Sequence, residues 1–338
     1  MADSLDDQPT TKVTPIPLYQ ADLHAVPSDV SALLSSYSGI APDKQNSHIV
    51  RVRDQAYATH PYPCLGRWRF LELDLSSHPL YQSDVLAPLI PTRGHSSEGK
   101  PQRDGDDDGR DSWIFLDLGT CLGQDIRKLI YDGADPSRLY GADLKPEFID
   151  AGYELFRDAD KLPRDKHFIA PADVFDDSPS TELAAKCDGK VGILHISAVF
   201  HLFDLAAQRA MARRCLKLLD PRRGRVLLCG GQVGNVNPGE VARLTGKGSR
   251  FRHDERSWRD MWEGVVAEDA WRDKIRGVEV GCEMEGWIDR IEMKTKGLVG
   301  DDGKAPGEGL RRKQIGRVED GFRWMKWWVW VDFDVNVA

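Results

Sequence analysis

One stretch constrains this chain more than any other: Trp113-Ile-Phe-Leu-Asp117-Leu-Gly119-Thr120-Cys121-Leu-Gly123-Gln124-Asp125-Ile-Arg-Lys-Leu-Ile130. It opens as a short apolar run ending in Asp117, the pattern of a buried strand. It passes through a turn with glycines at 119 and 123 and becomes helical, with Ile126, Leu129 and Ile130 on one face and Gly133 placed to cap the end. Strand, glycine turn and helix form the first half of a nucleotide-handling α/β unit. Glycine lets backbone N–H groups approach a ligand, and the helix N-terminus favours an anionic group. A dinucleotide fingerprint would need glycines at 121 and 124, where Cys121 and Gln124 stand, so NAD is disfavoured. A phosphate loop ending Gly-Lys-Ser/Thr is absent as well.

The pattern Asp117-x-Gly119-x-x-x-Gly123 resembles motif I of class I S-adenosyl-L-methionine (SAM) methyltransferases, with Cys121 in place of the usual middle glycine. SAM has a carboxylate and an ammonium where a dinucleotide has a pyrophosphate. A strand-end acid such as Asp117 can accept from the ammonium, and the amides of the turn can face the carboxylate. The resemblance implies cofactor contacts from Asp117, Gly119, Thr120, Cys121, Gly123 and Gln124.

Two more strands ending in acids follow. Arg138-Leu-Tyr-Gly-Ala-Asp143 ends about 20 residues beyond Gly123, where a carboxylate can take both ribose hydroxyls. Leu144 follows, and Pro146 to Phe156 fits a helix with proline near its start. Lys166 to Phe175 reads as a third strand reaching Asp173. In the methyltransferase pattern an acid here accepts from the adenine amino group, and the next backbone amide, that of Val174, reads a ring nitrogen. Three strand-end acids in order carry far more weight than any one of them.

A fourth strand, Val191 to His195, leads into a loop with Ser197 and His201 ahead of a helix over 205–219. Ser197 is a further candidate for cofactor contact. His195 lies inside the apolar run and reads as a core histidine. His201 lies in the loop, where it can orient a substrate oxygen or accept its proton. A fifth strand, Arg225 to Gly231, is expected to give way to an open loop at Gly230, Gly231 and Gly234. An insertion over 235–260 carries Arg243, Lys247, Arg250, Arg252 and His253, read as an exposed basic stretch, and a helix follows from Ser257 to Ala267. Two late strands, Val278–Ile288 and Phe322–Asp334, are joined by a glycine- and charge-rich loop over 294–319. They match the antiparallel pair that completes a seven-stranded methyltransferase sheet.

Composition narrows the remaining classes. The net charge of −8 argues against nucleic acid as the main partner. No apolar run approaches 18 residues, so no membrane span is expected. The start, Met-Ala-Asp-Ser-Leu-Asp-Asp, lacks the basic and apolar regions of a signal peptide, which points to the cytoplasm. None of the six cysteines forms a Cys-x-x-Cys pair, so reduced thiols and no metal site are expected. The ten tryptophans read as packing or as an apolar pocket for a large substrate.

Ahead of the core, residues 1–27 read as an irregular arm. Ser28–Tyr37 reads as a short helix capped by Ser28, and 43–59 as a second helix. The prolines of His60-Pro-Tyr62-Pro-Cys64 read as an extended turn. Residues 91–112 read as a flexible loop. The expected organisation is an N-terminal arm and helical lid over 1–90, that loop, and a SAM-dependent methyltransferase domain over 113–338.

The segments His60-Pro-Tyr-Pro-Cys-Leu-Gly-Arg-Trp-Arg-Phe-Leu71 and Leu73-Asp-Leu-Ser-Ser-His-Pro-Leu-Tyr81, with the Leu116–Asp125 turn, resemble fungal secondary-metabolite methyltransferases of the meroterpenoid type. The resemblance implies an α/β, Rossmann-like sheet of strand order 3-2-1-4-5-7-6 with an N-terminal helical extension. It implies SAM as cofactor and in-line methyl transfer to a carboxylate or hydroxyl of a polyketide–terpenoid intermediate. A hydroxyl would need a base, for which His201 is the candidate; Tyr62 and Trp258 are candidate substrate contacts. Two other classes stay open: a SAM-fold cyclase or pericyclase that transfers no methyl, and a non-catalytic SAM-binding protein. The expected partner is a small molecule. The oligomeric state stays open, a homodimer being one outcome.

Overall fold

A computed structural model describes residues 13–91, 113–243, 247–286 and 315–336. The loop expected over 91–112, apart from Pro91, lies outside the described residues, as does most of the 294–319 connection.

The sheet begins with β2 (Phe115–Leu118), buried along its whole length. In the chain it follows a short N-terminal strand, β1 (Val13–Pro17). β3 (Leu139–Ala142) and β4 (Phe168–Ile169) lie on one side of β2, and β5 (Ile193–His195) and β6 (Arg225–Asn235) on the other, all parallel. β11 (Phe322–Phe333) is antiparallel to both β6 and β9 (Ile275–Gly286). Counted within the sheet, the order is 3-2-1-4-5-7-6, as expected. The first strand is therefore central, and the direction of winding reverses beside it. That reversal opens a crevice at the carboxyl ends of β2 and β5.

The helices α4 (Gln124–Tyr131), α5 (Pro146–Phe156), α6 (Arg164–His167), α7 (Glu182–Cys187), α8 (Leu205–Leu218) and α9 (Glu255–Val266) flank the sheet. Alternation along β11 divides its aromatics. Met325, Trp327, Val329 and Val331 face the core under α8 and α9, while Trp328 and Trp330 pack on the opposite core.

Several segments differ from the sequence reading. β6 runs straight through Gly230, Gly231 and Gly234, paired with β11 throughout. The glycines are needed by neighbours rather than by a loop. A side chain on Gly231 would lie 2.6 Å from the Trp324 ring, and one on Gly230 would collide with the Ile196 carbonyl. β4 is only two residues long because Pro171 has no N–H to continue the ladder. The 235–260 insertion holds a hairpin, β7 (Gly239–Ala242) with β8 (Ser249–Arg252). Helix α9 starts before Ser257, because Asp254 caps it in a reciprocal box with Ser257. Arg252 and His253 are buried rather than exposed. Residues 315–319 form β10 (Ile315–Glu319), paired with β1, so the arm is not wholly irregular.

The N-terminal region is built into the core. It comprises α1 (Ser28–Ser36), α2 (Pro42–Thr59), α3 (Pro63–Gly66) and short helical turns between Arg69 and Leu89. Ser28 is the first helical residue and makes no cap; Pro27 precedes it. Of the expected extended turn at 60–64, His60 and Tyr62 are extended, and it ends there because Pro63 starts α3, a position where its missing N–H costs nothing. In α2, Ile49, Val52, Ala56 and Tyr57 form one buried stripe, and His48 Nε2 meets the Leu155 carbonyl of α5 at 3.0 Å. Arg53, wholly buried, lies 3.5 Å over the Trp68 ring and donates to the carbonyls of Gln20 (2.8 Å) and Ala21 (2.9 Å), fastening the arm.

Asp158 joins the two regions. It accepts a bidentate pair from Arg127 of α4 (2.8 and 2.9 Å) and the Tyr37 hydroxyl (2.7 Å) from beyond α1, with no exposure to solvent. Removing one partner of such a pair strands the other charge. Asp158→Ala should therefore lower the unfolding free energy by about 3–5 kcal/mol in urea titration. A loss below about 1 kcal/mol would show that the pair carries no such weight.

Candidate functional site

The crevice is a cavity of about 530 Å³. Its floor is the turn between β2 and α4, and its sides are the ends of β3 and β5 with Tyr62, Cys64, Arg69 and Phe70 of the N-terminal region. The turn is held from beneath. The amides of Gly119 and Thr120 both donate to the Ala142 carbonyl of β3, at 2.8 and 3.1 Å. Gly119 (φ 82°) must be glycine, because a Cβ there would lie 2.5 Å from Val199 Cγ2. Cys121 takes a left-handed conformation (φ 52°) that usually favours glycine. Gly123 (φ 66°) precedes the first turn of α4 and does not line the cavity.

Asp117 is buried at the cavity floor. It accepts Thr120 Oγ1 at 2.6 Å and His195 Nδ1 at 2.7 Å. Asp125, in the first turn of α4, stands beside this pair and accepts the Leu75 amide (3.2 Å) and Gln124 Nε2 (3.1 Å). Donor atoms of Asp117, Asp125 and His195 all lie within 4.8 Å of one another. Burial pushes the Asp125 carboxyl up to about 7, with His195 opposing and Asp117 reinforcing the shift. Burial works against charge on His195, yet Asp117, then Asp125, outweighs it and raises its pKa.

Asp143 also lines the cavity. Its Oδ2 accepts the Cys121 amide and its Oδ1 the Lys145 amide, both at 2.9 Å. Burial raises its pKa to about 6, with those two amides pulling the other way. A carboxylate accepts about four hydrogen bonds, so each oxygen keeps capacity. Asp173 is exposed at the far wall, its Oδ1 occupied by the Phe175 amide at 2.9 Å. Leu144, Val174, Phe148 and Phe175 give the space between Asp143 and Asp173 an apolar lining. Ser197 reaches the rim and donates to the Gly231 carbonyl at 3.4 Å. Tyr62 stands at the mouth, edge-on to Phe148 with centroids 5.5 Å apart.

Two candidates are placed differently. Trp258 is fully buried against Phe200 (5.1 Å) and Trp327 (4.9 Å), so it is part of the core and does not reach the cavity. His201 is not among the cavity-lining residues, and its Nδ1 accepts the Val233 amide at 3.2 Å. Burial, then Arg252, Arg69 and Arg250, holds its pKa well below the ordinary range. A neutral ring whose Nδ1 accepts carries its proton on Nε2. This geometry makes His201 a hydrogen-bond donor, not a base.

Residues 18–71 match the family model described as the meroterpenoid methyltransferase N-terminal domain. The chain is 37% identical to O-methyltransferase phiE of Fungal sp. over 78% of its length and 81% of that protein's. It is 34% identical to methyltransferase ausD of Penicillium brasilianum, over 82% of this chain and 88% of that one. The chain belongs to this family of fungal methyltransferases. Among solved structures, magnesium protoporphyrin IX methyltransferase (ChlM) from Synechocystis PCC 6803 aligns loosely, at 13% identity over 65% of this chain and 70% of its own, with a TM-score of 0.34. Membership rests on the sequences. Among the described residues of the methyltransferase, no helix is long and apolar enough to cross a membrane.

Sequence reasoning missed part of the methyltransferase site. His195 reads as a core residue because its neighbours in the chain are apolar, yet the end of β5 brings it to Asp117. Asp125 carries the ordinary signature of an acid in a first helical turn. Arg69, Phe70 and Cys64 come from a segment with no periodic signal. The raised Asp125 pKa has a measurable consequence. Its folded form binds a proton that the unfolded chain, near pH 4, releases earlier, so ionisation costs the native state stability between about pH 4 and 7. Asp125→Asn keeps an acceptor for Leu75 and removes that cost. Its stability relative to the parent should climb with pH across this window, by up to about 1.4 kcal/mol per pH unit. A pH-independent difference in urea unfolding would contradict the assignment.

Proposed function

We propose that the protein transfers the methyl group of SAM to an oxygen of a small apolar polyketide–terpenoid metabolite, and that a carboxylate is the preferred acceptor. The observation that carries this reading is the convergence of Asp117, Asp143 and Asp173 on one cavity in a chain of methyltransferase kinship. The residues present suit the cofactor. Gln124 Oε1 is a buried acceptor without a partner among the described residues, and Asp143 retains acceptor capacity toward the same space.

Bound SAM supplies an electrophilic methyl on a sulfonium. Asp143 accepts from the ribose hydroxyls, Asp173 from the adenine amino group, and the Val174 amide donates to a ring nitrogen. The turn at Gly119, Thr120 and Cys121, with Gln124 and the Asp117 cluster, receives the amino-acid end. The ring of Tyr62 at the mouth covers the apolar acceptor, and the N-terminal region acts as its lid. His201 lies outside the cavity lining and is given no contact with the acceptor. A carboxylate arrives ionised and needs no base, which agrees with a His201 that cannot take a proton. Holding a carboxylate oxygen against the methyl carbon then supplies much of the acceleration.

Formation of S-adenosylhomocysteine on incubation with SAM and a terpenoid acid is the expected result. Turnover of the acid without S-adenosylhomocysteine would instead indicate a cyclase. Asp143→Ala should weaken SAM binding by about 1–3 kcal/mol in calorimetry, roughly 5- to 150-fold. An unchanged affinity would remove Asp143 from the ribose site.

A further inference from the structure

Cofactor binding leaves one charged feature of the cavity unused. Arg69, Lys145 and Arg243 all line it. Arg69 is engaged by Asp74 at 2.9 Å and Glu72 at 3.5 Å, and its guanidinium lies 3.9 Å over the Trp324 ring. Lys145 stands between two carboxylates in the chain, Asp143 and Glu147. Arg243 differs from both. Its Nη2 donates to the carbonyl of Leu202, another cavity residue, at 2.6 Å, and no carboxylate pairs with it among the described residues. A guanidinium has five N–H donors, so most of those on Arg243 stay available to a ligand.

The β7–β8 hairpin sets this position. Its register places Gly239 opposite Arg252 and Val241 opposite Arg250. The Arg243 amide continues the ladder, donating to the Gly248 carbonyl at 3.1 Å. Residues directly opposite, or two apart along a strand, share a face. Arg243, Arg250 and Arg252 therefore project from one face of the hairpin. That face lies on the loop leaving β5: Arg252 Nη1 donates to the His201 carbonyl at 2.7 Å, next to the carbonyl that Arg243 takes. The acid beside this face is Glu319 of β10, 3.9 Å from Arg252 Nη2. The buried Nε atoms of Arg250 and Arg252 have no partner among the described residues. Like charges on one face repel, and an anion among them relieves the repulsion. Burial lowers the Arg250 pKa, Glu319 opposing and Arg243 adding to the fall.

We propose that Arg243 selects an anionic acceptor: its guanidinium binds the substrate's carboxylate, and Arg250 and Arg252 on the same face strengthen the attraction. The inference rests on the methyl-transfer reading of the cavity. A guanidinium recognises a carboxylate by charge and by the matching fork of its N–H groups. Held through one oxygen, the carboxylate keeps its other oxygen for the methyl carbon. An alcohol carries no charge and gains nothing from this contact. The methyl ester formed on the acceptor is neutral, so it loses the attraction and leaves more readily than the acid.

The test uses the full chain with S-adenosylhomocysteine and two probes that share one apolar chain, farnesoic acid and farnesol. Their affinities are measured by calorimetry at neutral pH for the parent, Arg243→Gln and Arg243→Lys. The parent should bind the acid about tenfold more tightly than the alcohol, as a hydrogen bond to a charged group allows. Arg243→Gln should erase that preference and leave farnesol binding as it was. Arg243→Lys should keep part of it, because it retains the charge without the fork. Added salt should shrink the parent's preference. If Arg243 only braces the Leu202 carbonyl, its loss would weaken both probes together, and that result would overturn the proposal. So would a parent that binds both probes equally or neither, or an Arg243→Gln protein that keeps the acid preference. A loss of S-adenosylhomocysteine affinity with the acid preference intact would place Arg243 against the cofactor and overturn it too. Methyl transfer is scored apart: acid-selective binding with no S-adenosylhomocysteine formed from SAM would overturn the methyl-transfer reading and leave the Arg243 site standing.

Discussion

The site depends on one arrangement of backbone hydrogen bonds: β3 holds the turn that follows β2. Two successive amides, Gly119 and Thr120, share the Ala142 carbonyl, and the next amide, Cys121, is taken by the Asp143 side chain. The turn is thus shaped by two adjacent parallel strands and not by its own glycines alone. A consequence is that Asp143 has two duties. It fixes the turn through Cys121 and faces the cavity with its remaining acceptor capacity. Burial that raises its pKa is opposed by those same amides, which keep it an acceptor near neutral pH.

A second constraint comes from the N-terminal region. It could have been a detachable cover, but it shares buried side chains with α5, and its Tyr37 hydroxyl donates to the buried Asp158–Arg127 pair. Asp158, Arg127 and Tyr37 tie it to the helix that leaves the turn, and Leu75 ties it to Asp125 at that helix's start. The cavity walls at Tyr62, Cys64 and Arg69 therefore have positions set by the same core as the floor. Any closing motion is confined to the mouth, where Tyr62 is exposed.

The three acids were legible because each closes a short apolar run, and period and punctuation are local properties of a chain. The strand order was implied by the family resemblance, with which two late strands following five alternating units agree. Other features depend on neighbours distant in sequence. Gly230 and Gly231 look like a loop until Trp324 and Ile196 are seen against them. Trp258 looks like a pocket residue until Phe200 and Trp327 enclose it. His195 looks inert until the register of β2 and β5 sets it opposite Asp117. His201 was visible as a loop histidine, but its proton position is decided by the Val233 amide, which only the fold supplies.

The account turns on the claim that the space above Asp143 is where the cofactor's nucleoside sits. A crystal structure with S-adenosylhomocysteine tests it most directly. The account predicts both ribose hydroxyls within about 2.6–3.2 Å of the Asp143 carboxylate, with the adenine between Leu144 and Phe175. A nucleoside bound elsewhere, with Asp143 keeping only its Cys121 and Lys145 amides, would contradict it.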